Sequence, residues 1–579
     1  MRNSGFSIQT YINFKNDRMV GFTMKLKKTM KWVLALSFVT SPLLYSGQGT
    51  AKAAEINSIP NTTRYFKNYD NSFLSVSGYA SFGVHDRSQY IDTPYYRQVK
   101  TEREFLQAIV DAQAGNVKVI EVAKDLNFGW KNLNLSADEA KKYRFITKYR
   151  DPMYGFTNPK LAASGVSQLK IDGVDGLTIF SKKGKTIRSA ELNLQRSAND
   201  IVIRNLNFDG MWQWDDTGKH KEVGWTFIKI NGANNVWIDH SKFTLGADGL
   251  IDTENGGSNI TISWSQFGLP ANEHPAEDSD IYQTIQFMEQ KYAAGELNSD
   301  SVYYNMRNGG ATKEEIMAYA AYHSKVHLTG SGDKDYVDYV SGSGLNYKDG
   351  NQRIRLTLAY NTYTNVGQRV PMIRQGTGHA YNLYLDNSTH YDILEKVAAI
   401  AEFGTDQLSR ALNARNGASV AADTSVFNDI NEPITGAEIQ GLDTGYMEAP
   451  WDTLFHSAYN RNLIVNSRVT NQYGSYTGSS WDNNGENLFT KGFTWYDKST
   501  IGNWAWSSHI VGSENMSKMN PPTEPFSFEY RDDEKLPYTY NVLPLNSVVP
   551  TVTEYAGANK VNLSPIGWLK TTYSSKGNN

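Results

Sequence analysis

The chain has 579 residues, 40% of them hydrophobic, a formal net charge of −3 and no cysteine. The missing cysteine excludes disulfides, thiolate metal sites and a cysteine nucleophile, and the length suffices to bury a large core without cross-links. Residues 1–53 hold eight of the 57 Lys and Arg but one of the 60 acidic residues, so the remainder carries 49 − 59 = −10. With no basic run or basic helical face, nucleic acid is not the expected partner. A polyanionic sugar stays open, because a few cations in a groove outweigh global charge beyond a Debye length of about 8 Å.

Met24-Lys-Leu-Lys-Lys-Thr-Met-Lys31 opens a basic segment, Trp32 to Tyr45 is largely apolar, and Ala51-Lys-Ala53 offers small residues for a signal peptidase. This predicts a secretory signal ending at Ala53, with Met24 as an alternative start, and a secreted, extracellular mature chain. Ser41-Pro42 breaks the apolar run, which is too short to span a bilayer comfortably, so no membrane anchor is expected.

From Glu55 to Tyr96 the polar, Asn-, Ser- and Tyr-rich sequence reads as irregular chain lying on the body. Thr101-Glu-Arg-Glu104 is a capping box, Phe105, Ile109 and Ala112 share a helical face, and Gly115 ends it. This helix is expected to cap the N-terminal end of the core. Val117 to Val122, Leu169-Lys-Ile171 and Leu177-Thr-Ile-Phe180 read as short strands.

One strand pattern then returns. Asn199-Asp-Ile-Val-Ile-Arg-Asn-Leu-Asn-Phe208, Asn234-Asn-Val-Trp-Ile-Asp-His-Ser-Lys-Phe243 and Ser258-Asn-Ile-Thr-Ile-Ser-Trp-Ser-Gln-Phe267 are copies 35 and then 24 residues apart, and Leu356-Thr-Leu-Ala-Tyr-Asn-Thr-Tyr363 is a later one. Uneven spacing with constant strands predicts a coil of parallel strands whose loops vary in length and gather on one side. An antiparallel sandwich would show hairpin signals every 8–12 residues or so, and these are sparse.

Between Phe208 and Phe227 lies a loop with Trp212, Trp214, Trp225, Asp209, Asp215, Asp216 and Glu222, suited either to stacking sugar rings or to packing on neighbouring loops. A long insertion follows at about 270–349, with helices at 281–293 and, behind a Thr312/Glu315 capping box, at 312–322. A second, at about 388–450, reads as helix through Ile393, Val397 and Ile400, then Leu408 and Leu412. Neither is long enough for its own core, so both are expected to flank the groove of a single domain covering 54–579. From Trp451 onward short apolar strands alternate with turns, with no new boundary.

Three clusters carry chemistry: Asp248-Gly-Leu-Ile-Asp252, His323-Ser-Lys325 and Arg369-Val-Pro-Met-Ile-Arg374. Two carboxylates four apart on extended chain face the same way, and taken singly each cluster has a plainer reading as a solvated face. Their order changes that reading. Asn-Val-Trp-Ile-Asp-His240, Asp-Gly-Leu-Ile-Asp252, Ile-Thr-Ile-Ser-Trp264, Arg369-x-Pro-x-x-Arg374 and Gly378-His-Ala-Tyr-Asn382 together resemble the pectate and pectin lyases of polysaccharide lyase family 1, and Tyr555-Ala-Gly-Ala558 is similar to their closing segment.

The resemblance covers about residues 105–558. It implies an all-β, right-handed parallel β-helix, with an N-terminal capping helix and helical insertions, that cleaves α-1,4-galacturonan (pectate or pectin) by β-elimination to 4,5-unsaturated ends. By the same resemblance Arg369 is the catalytic base, Lys325 and Arg374 bind a substrate carboxylate, and Asp248 and Asp252 ligate Ca²⁺. Hard carboxylate oxygens suit calcium, and cations stabilise charge that builds beside a uronate. An arginine base is unusual, since its reference pKa is above about 12 and neighbouring cations must favour the neutral form.

One position departs from the family: where an aspartate ligand is expected before the Trp-Ile-Asp-His strand, the chain has Thr226. Glu222 or Asp209 replacing it, calcium arriving only with substrate, and a metal-free preference for methyl-esterified pectin all remain open. A β-helical hydrolase using Asp248 and Asp252 as acid and base leaves Lys325, Arg369 and Arg374 idle, and a non-catalytic pectin-binding protein on the same scaffold is the other rival. The expected partner is the polysaccharide alone, met by a monomer.

Overall fold

The structure, a computed structural model, describes residues 71–143, 166–211, 226–330, 351–390 and 538–561 apart from isolated positions, with further short strands between and beyond them. The signal segment, His323 and the tryptophan loop at 212–225 lie outside the described residues.

The repeated pattern folds as a right-handed parallel β-helix of three sheets. The first sheet contains Asn199–Arg204, Asn234–Asp239, Ser258–Ser263 and Arg355–Ala359 side by side. The second carries the short strands Asn207–Asp209, Lys242–Phe243, Gln266–Gly268 and Thr362–Thr364, and the third Ile228–Asn231, Ile251–Glu254, Leu328–Thr329 and Met372–Arg374. These strands pair in parallel, Ile201 with Val236, Val236 with Ile260 and Ile260 with Leu356, so every copy stacks in the same register.

The shared Phe explains that register. Phe208 stacks on Phe243 at 4.8 Å, Phe243 on Phe267 at 5.1 Å and Phe267 on Tyr363 at 4.9 Å, with ring planes within 9° of parallel. Each such pair contributes about 0.5–1.5 kcal/mol beyond its burial, and a slip by one rung would keep the column while misplacing every loop. The corners are set by residues that tolerate the left-handed region. Asp200, Asn235 and Asn259 have φ of 57°, 53° and 54°, which Asn and Asp adopt at low cost, and Asn235 and Asn259 each donate an amide hydrogen bond to the Asn one rung earlier, at 2.7 and 3.0 Å.

The capping helix runs Glu102–Gln113, with both capping-box bonds between Thr101 and Glu104 formed and Phe105, Leu106, Ile109 and Ala112 buried against the first rungs. The helices at Asp280–Ala293 and Lys313–Ala321 form as the sequence predicts, and a third, Val302–Asn308, lies between them. Their lead-in is tied to the rungs by Lys242–Glu273 at 2.6 Å and Arg188–Asp278 at 2.9 Å. The Asp248 loop, the helical insertion and the Arg369 loop all connect second-sheet strands to third-sheet strands. The variable loops therefore do lie on one side.

The insertion boundaries differ from the sequence reading. The stretch 270–349 contains the third-sheet strand Leu328–Thr329, and 388–450 contains strands at Arg410–Arg415, Ser419–Asp423, Val426–Asn428 and Glu432–Glu438. Leu412 is in a strand, and its spacing from Leu408 mimics a helical step; strands this short carry no period of their own. The irregular N-terminal segment proves to be a strap across the first sheet, with the Tyr79 amide on Thr357 Oγ1 and the Ala80 amide on Thr261 Oγ1, both at 3.1 Å. Near the C-terminus a helix at Leu545–Tyr555, which the sequence reading did not contain, buries Val548 and Val552.

Candidate functional site

On the third sheet Ile251 points into the core, as do its register partners Ile228 and Leu192, which leaves Asp252 on the outer face. Lys229 is its neighbour in one register direction and Leu328 follows in the other, beside Thr253 paired with Thr329. Asp248 lies on the loop entering this strand, Lys325 on the segment entering the next, and Arg369 on the loop entering the one after. Consecutive rungs bring the three together.

Asp248 is the meeting point. Its Oδ1 lies 3.3 Å from Lys325 Nζ and 3.5 Å from Arg369 Nη1, yet accepts no hydrogen bond from either. Backbone bonds fix the approach: the Lys325 amide donates to Asp248 O at 2.9 Å, the Val326 amide to Gln368 O at 2.9 Å and the His327 amide to Arg369 O at 2.7 Å. Arg369 has φ of 71°. A non-glycine residue in this region costs on the order of 1 kcal/mol and is held there by its surroundings. Beneath it the His327 imidazole packs edge-on to Phe267 and Tyr363 and bonds the Tyr363 hydroxyl at 3.2 Å, which anchors the loop to the aromatic column.

Asp252 is 5% exposed, with Oδ2 accepting from Thr226 Oγ1 at 2.8 Å and Oδ1 from the Leu328 amide at 3.2 Å. Burial, then the charge of Asp248, pushes its carboxyl up to about 7 against the opposing pull of Thr226, Arg369 and the Leu328 amide. Gly249 is required here, since a Cβ on it would run into the Asp252 carboxylate. Arg374 ends its strand with Nη1 donating to Gly330 O at 3.0 Å.

Asp248, Asp252, Lys325 and Arg369 thus meet where the sequence places a site, with Arg374 on the next strand. Thr226 joins them as a bonded partner of Asp252. Asp209 does not: it bonds Arg188 at 3.2 Å and Thr244 at 3.2 Å on the second sheet, so it is no substitute ligand, and Glu222 lies outside the described residues. The sequence reading missed Lys229, which pairs with Glu254 at 2.8 Å beside Asp252; the alternation of Ile228-Lys229-Ile230 was the available signal.

Two carboxylates that repel each other, one with a buried oxygen lacking any hydrogen bond, fit a hard divalent cation. Among the described residues no group of three or more acidic or imidazole side chains gathers at one point, so the described residues supply only part of a calcium shell.

A family model described as pectate lyase matches residues 319–561. Pectate lyase B of Paenibacillus amylolyticus is 31% identical over 357 residues, covering 59% of this chain and 83% of the relative. A pectate lyase of Bacillus subtilis is 24% identical over 304 residues, covering 49% of this chain and 60% of its own. The solved pectate lyase of Paenibacillus sp. 0602 shares the fold, with a TM-score of 0.63 and 24% identity over 87% of this chain and 100% of that one.

Proposed function

The chain belongs to the pectate lyase family and is a polysaccharide lyase that cleaves pectate, and from that premise we propose how its residues do so. Arg369, acting in its neutral guanidine form, takes the proton from C5 of a galacturonate and becomes the guanidinium. The C5–H electron pair becomes the C4–C5 double bond, the C4–O glycosidic bond breaks toward the leaving oxygen, and solvent protonates that oxygen. Lys325 and Arg374 hold the uronate carboxylate, beside which negative charge builds as the proton leaves. Asp248 and Asp252 are the residues that would hold calcium, which would supply positive charge against the charge building on the uronate.

The observation that carries this reading is the convergence of Lys325 and Arg369, from separate rungs, on one oxygen of Asp248. That geometry holds the would-be base and the would-be carboxylate clamp side by side, at the mouth of the strand that carries Asp252. The mature chain is secreted from Ala54 onward and acts as a monomer on polysaccharide alone. Support for export is the basic and apolar stretch with Ala51 and Ala53; among the described residues no helix is long and apolar enough to cross a membrane. Ultraviolet absorbance of 4,5-unsaturated product from polygalacturonate tests the reaction, and reducing ends formed without that absorbance would contradict it. Terminal sequencing of protein from culture medium tests the export, and retention of residues 1–53 would contradict that.

A further inference from the structure

Both carboxylates of the site are already engaged within the chain. Lys325 and Arg369 neutralise Asp248 at 3.3 and 3.5 Å, and Asp252 spends its two oxygens on Thr226 and the Leu328 amide. A free divalent cation arriving at Asp248 therefore meets two positive side chains at the same oxygen. Like charges at this separation repel, which works against metal entry. The two carboxylates that the described residues bring here also fall well short of the roughly six to eight oxygens that calcium takes. A galacturonate chain alters both terms. Its carboxylates compete for Lys325, Arg369 and Arg374, and its oxygens can complete a calcium shell.

Resting on the lyase reading above, we infer that calcium and polyuronate occupy this site as one unit. Substrate draws the cations off Asp248, and the freed Asp248–Asp252 pair holds calcium only while sugar is in the groove. Thr226 sets that order. It is 2% exposed and gives Asp252 a hydroxyl donor; a carboxylate there would add a third anionic ligand and let the metal bind ahead of substrate.

The test is calorimetric titration of calcium into the purified mature chain, alone and with saturating oligogalacturonates from an exhaustive digest, which the enzyme no longer cuts, with oligomer alone as the blank. Affinity is expected to rise at least tenfold, or about 1.4 kcal/mol, when oligomer is present. Thr226→Asp is expected to bind free calcium at least tenfold more tightly than the parent and to lose most of the sugar dependence. Equal affinity with and without oligomer, strong or weak, overturns the inference, as does a Thr226→Asp chain that gains nothing. Unsaturated product is measured in the same preparation. Product together with sugar-independent calcium binding removes the inference alone; no product removes the reading beneath it.

Discussion

Two charged clusters sit at different sheets of neighbouring rungs, and they are built to different tolerances. On the first sheet Asp239 is fully buried and accepts from Arg204 Nε at 2.6 Å, His240 Nδ1 at 2.6 Å and Ser263 Oγ at 2.7 Å. Arg204 also donates to Leu74 O at 2.8 Å and lies over the Trp237 ring at 4.6 Å, so the cluster clamps the N-terminal strap. Burial opposes the Asp239 charge, yet His240 and Arg204 hold its carboxyl below the usual range. On the third sheet Asp248 has two cations within 3.5 Å and no hydrogen bond from either. Short, directional bonds on all sides lock the first cluster in place, whereas charge contact without a bond leaves the Asp248 oxygen able to exchange its partners.

The contrast can be broken first at the base. Arg369→Ala is expected to cut the rate of unsaturated-product formation by roughly 10²–10⁴-fold, the usual contribution of a positioned general base, while the thermal midpoint stays put; retained activity would remove Arg369 from the chemistry. On the first sheet, Asp239→Ala removes the buried carboxylate that Arg204, His240 and Ser263 all bond. The expected loss is about 3–5 kcal/mol in urea unfolding, with the specific activity of the folded fraction unchanged, and an unaltered urea midpoint would contradict the structural assignment.

The next effect is set by pH. Burial pushes the His327 and His379 imidazoles down to about 3. A depressed pKa in the folded state means stability that is present above the unfolded value of about 6.5 and lost as pH falls toward 3, by about 2 kcal/mol per histidine at pH 5. His327→Gln is expected to flatten the dependence of unfolding free energy on pH between 6 and 4 by about one proton; an unchanged slope would place the charge loss elsewhere. Smallest of these effects, Asp248→Asn is expected to weaken calcium activation by roughly tenfold or more with little change in urea midpoint. A large loss of stability there would make Asp248 a structural residue like Asp239 and erase the contrast.

Much of this was legible before the structure. The recurring Phe at the end of each copy marks the aromatic column, and Thr101, Thr312 and their partner glutamates mark real helix starts. Motif order singles out Asp248, Lys325 and Arg369 as candidates, but nothing local announces that they meet at one oxygen: 77 and 121 positions separate Lys325 and Arg369 from Asp248, and only the rung register closes that distance. Thr226 was legible as a departure but not as a hydrogen-bond donor to Asp252. The two-residue strand Leu328–Thr329 has no period of its own to show in the sequence, so the stretch 270–349 reads as one insertion although a third-sheet strand lies within it. Asp239 and His240 were read as part of a signature, and their burial beneath the strap, away from the groove, needed coordinates.

The most direct test of the account is the absorbance of unsaturated product when the mature chain meets polygalacturonate, with calcium and with chelator. Absorbance is expected with calcium, is lost on chelation and returns when calcium is restored, with Lys325→Met and Arg374→Met both impaired in the restored state. Undiminished cleavage under chelation, above all on highly methylated pectin, would contradict the calcium role of Asp248 and Asp252 and make the charge on Asp248 a fixed partner of Arg369.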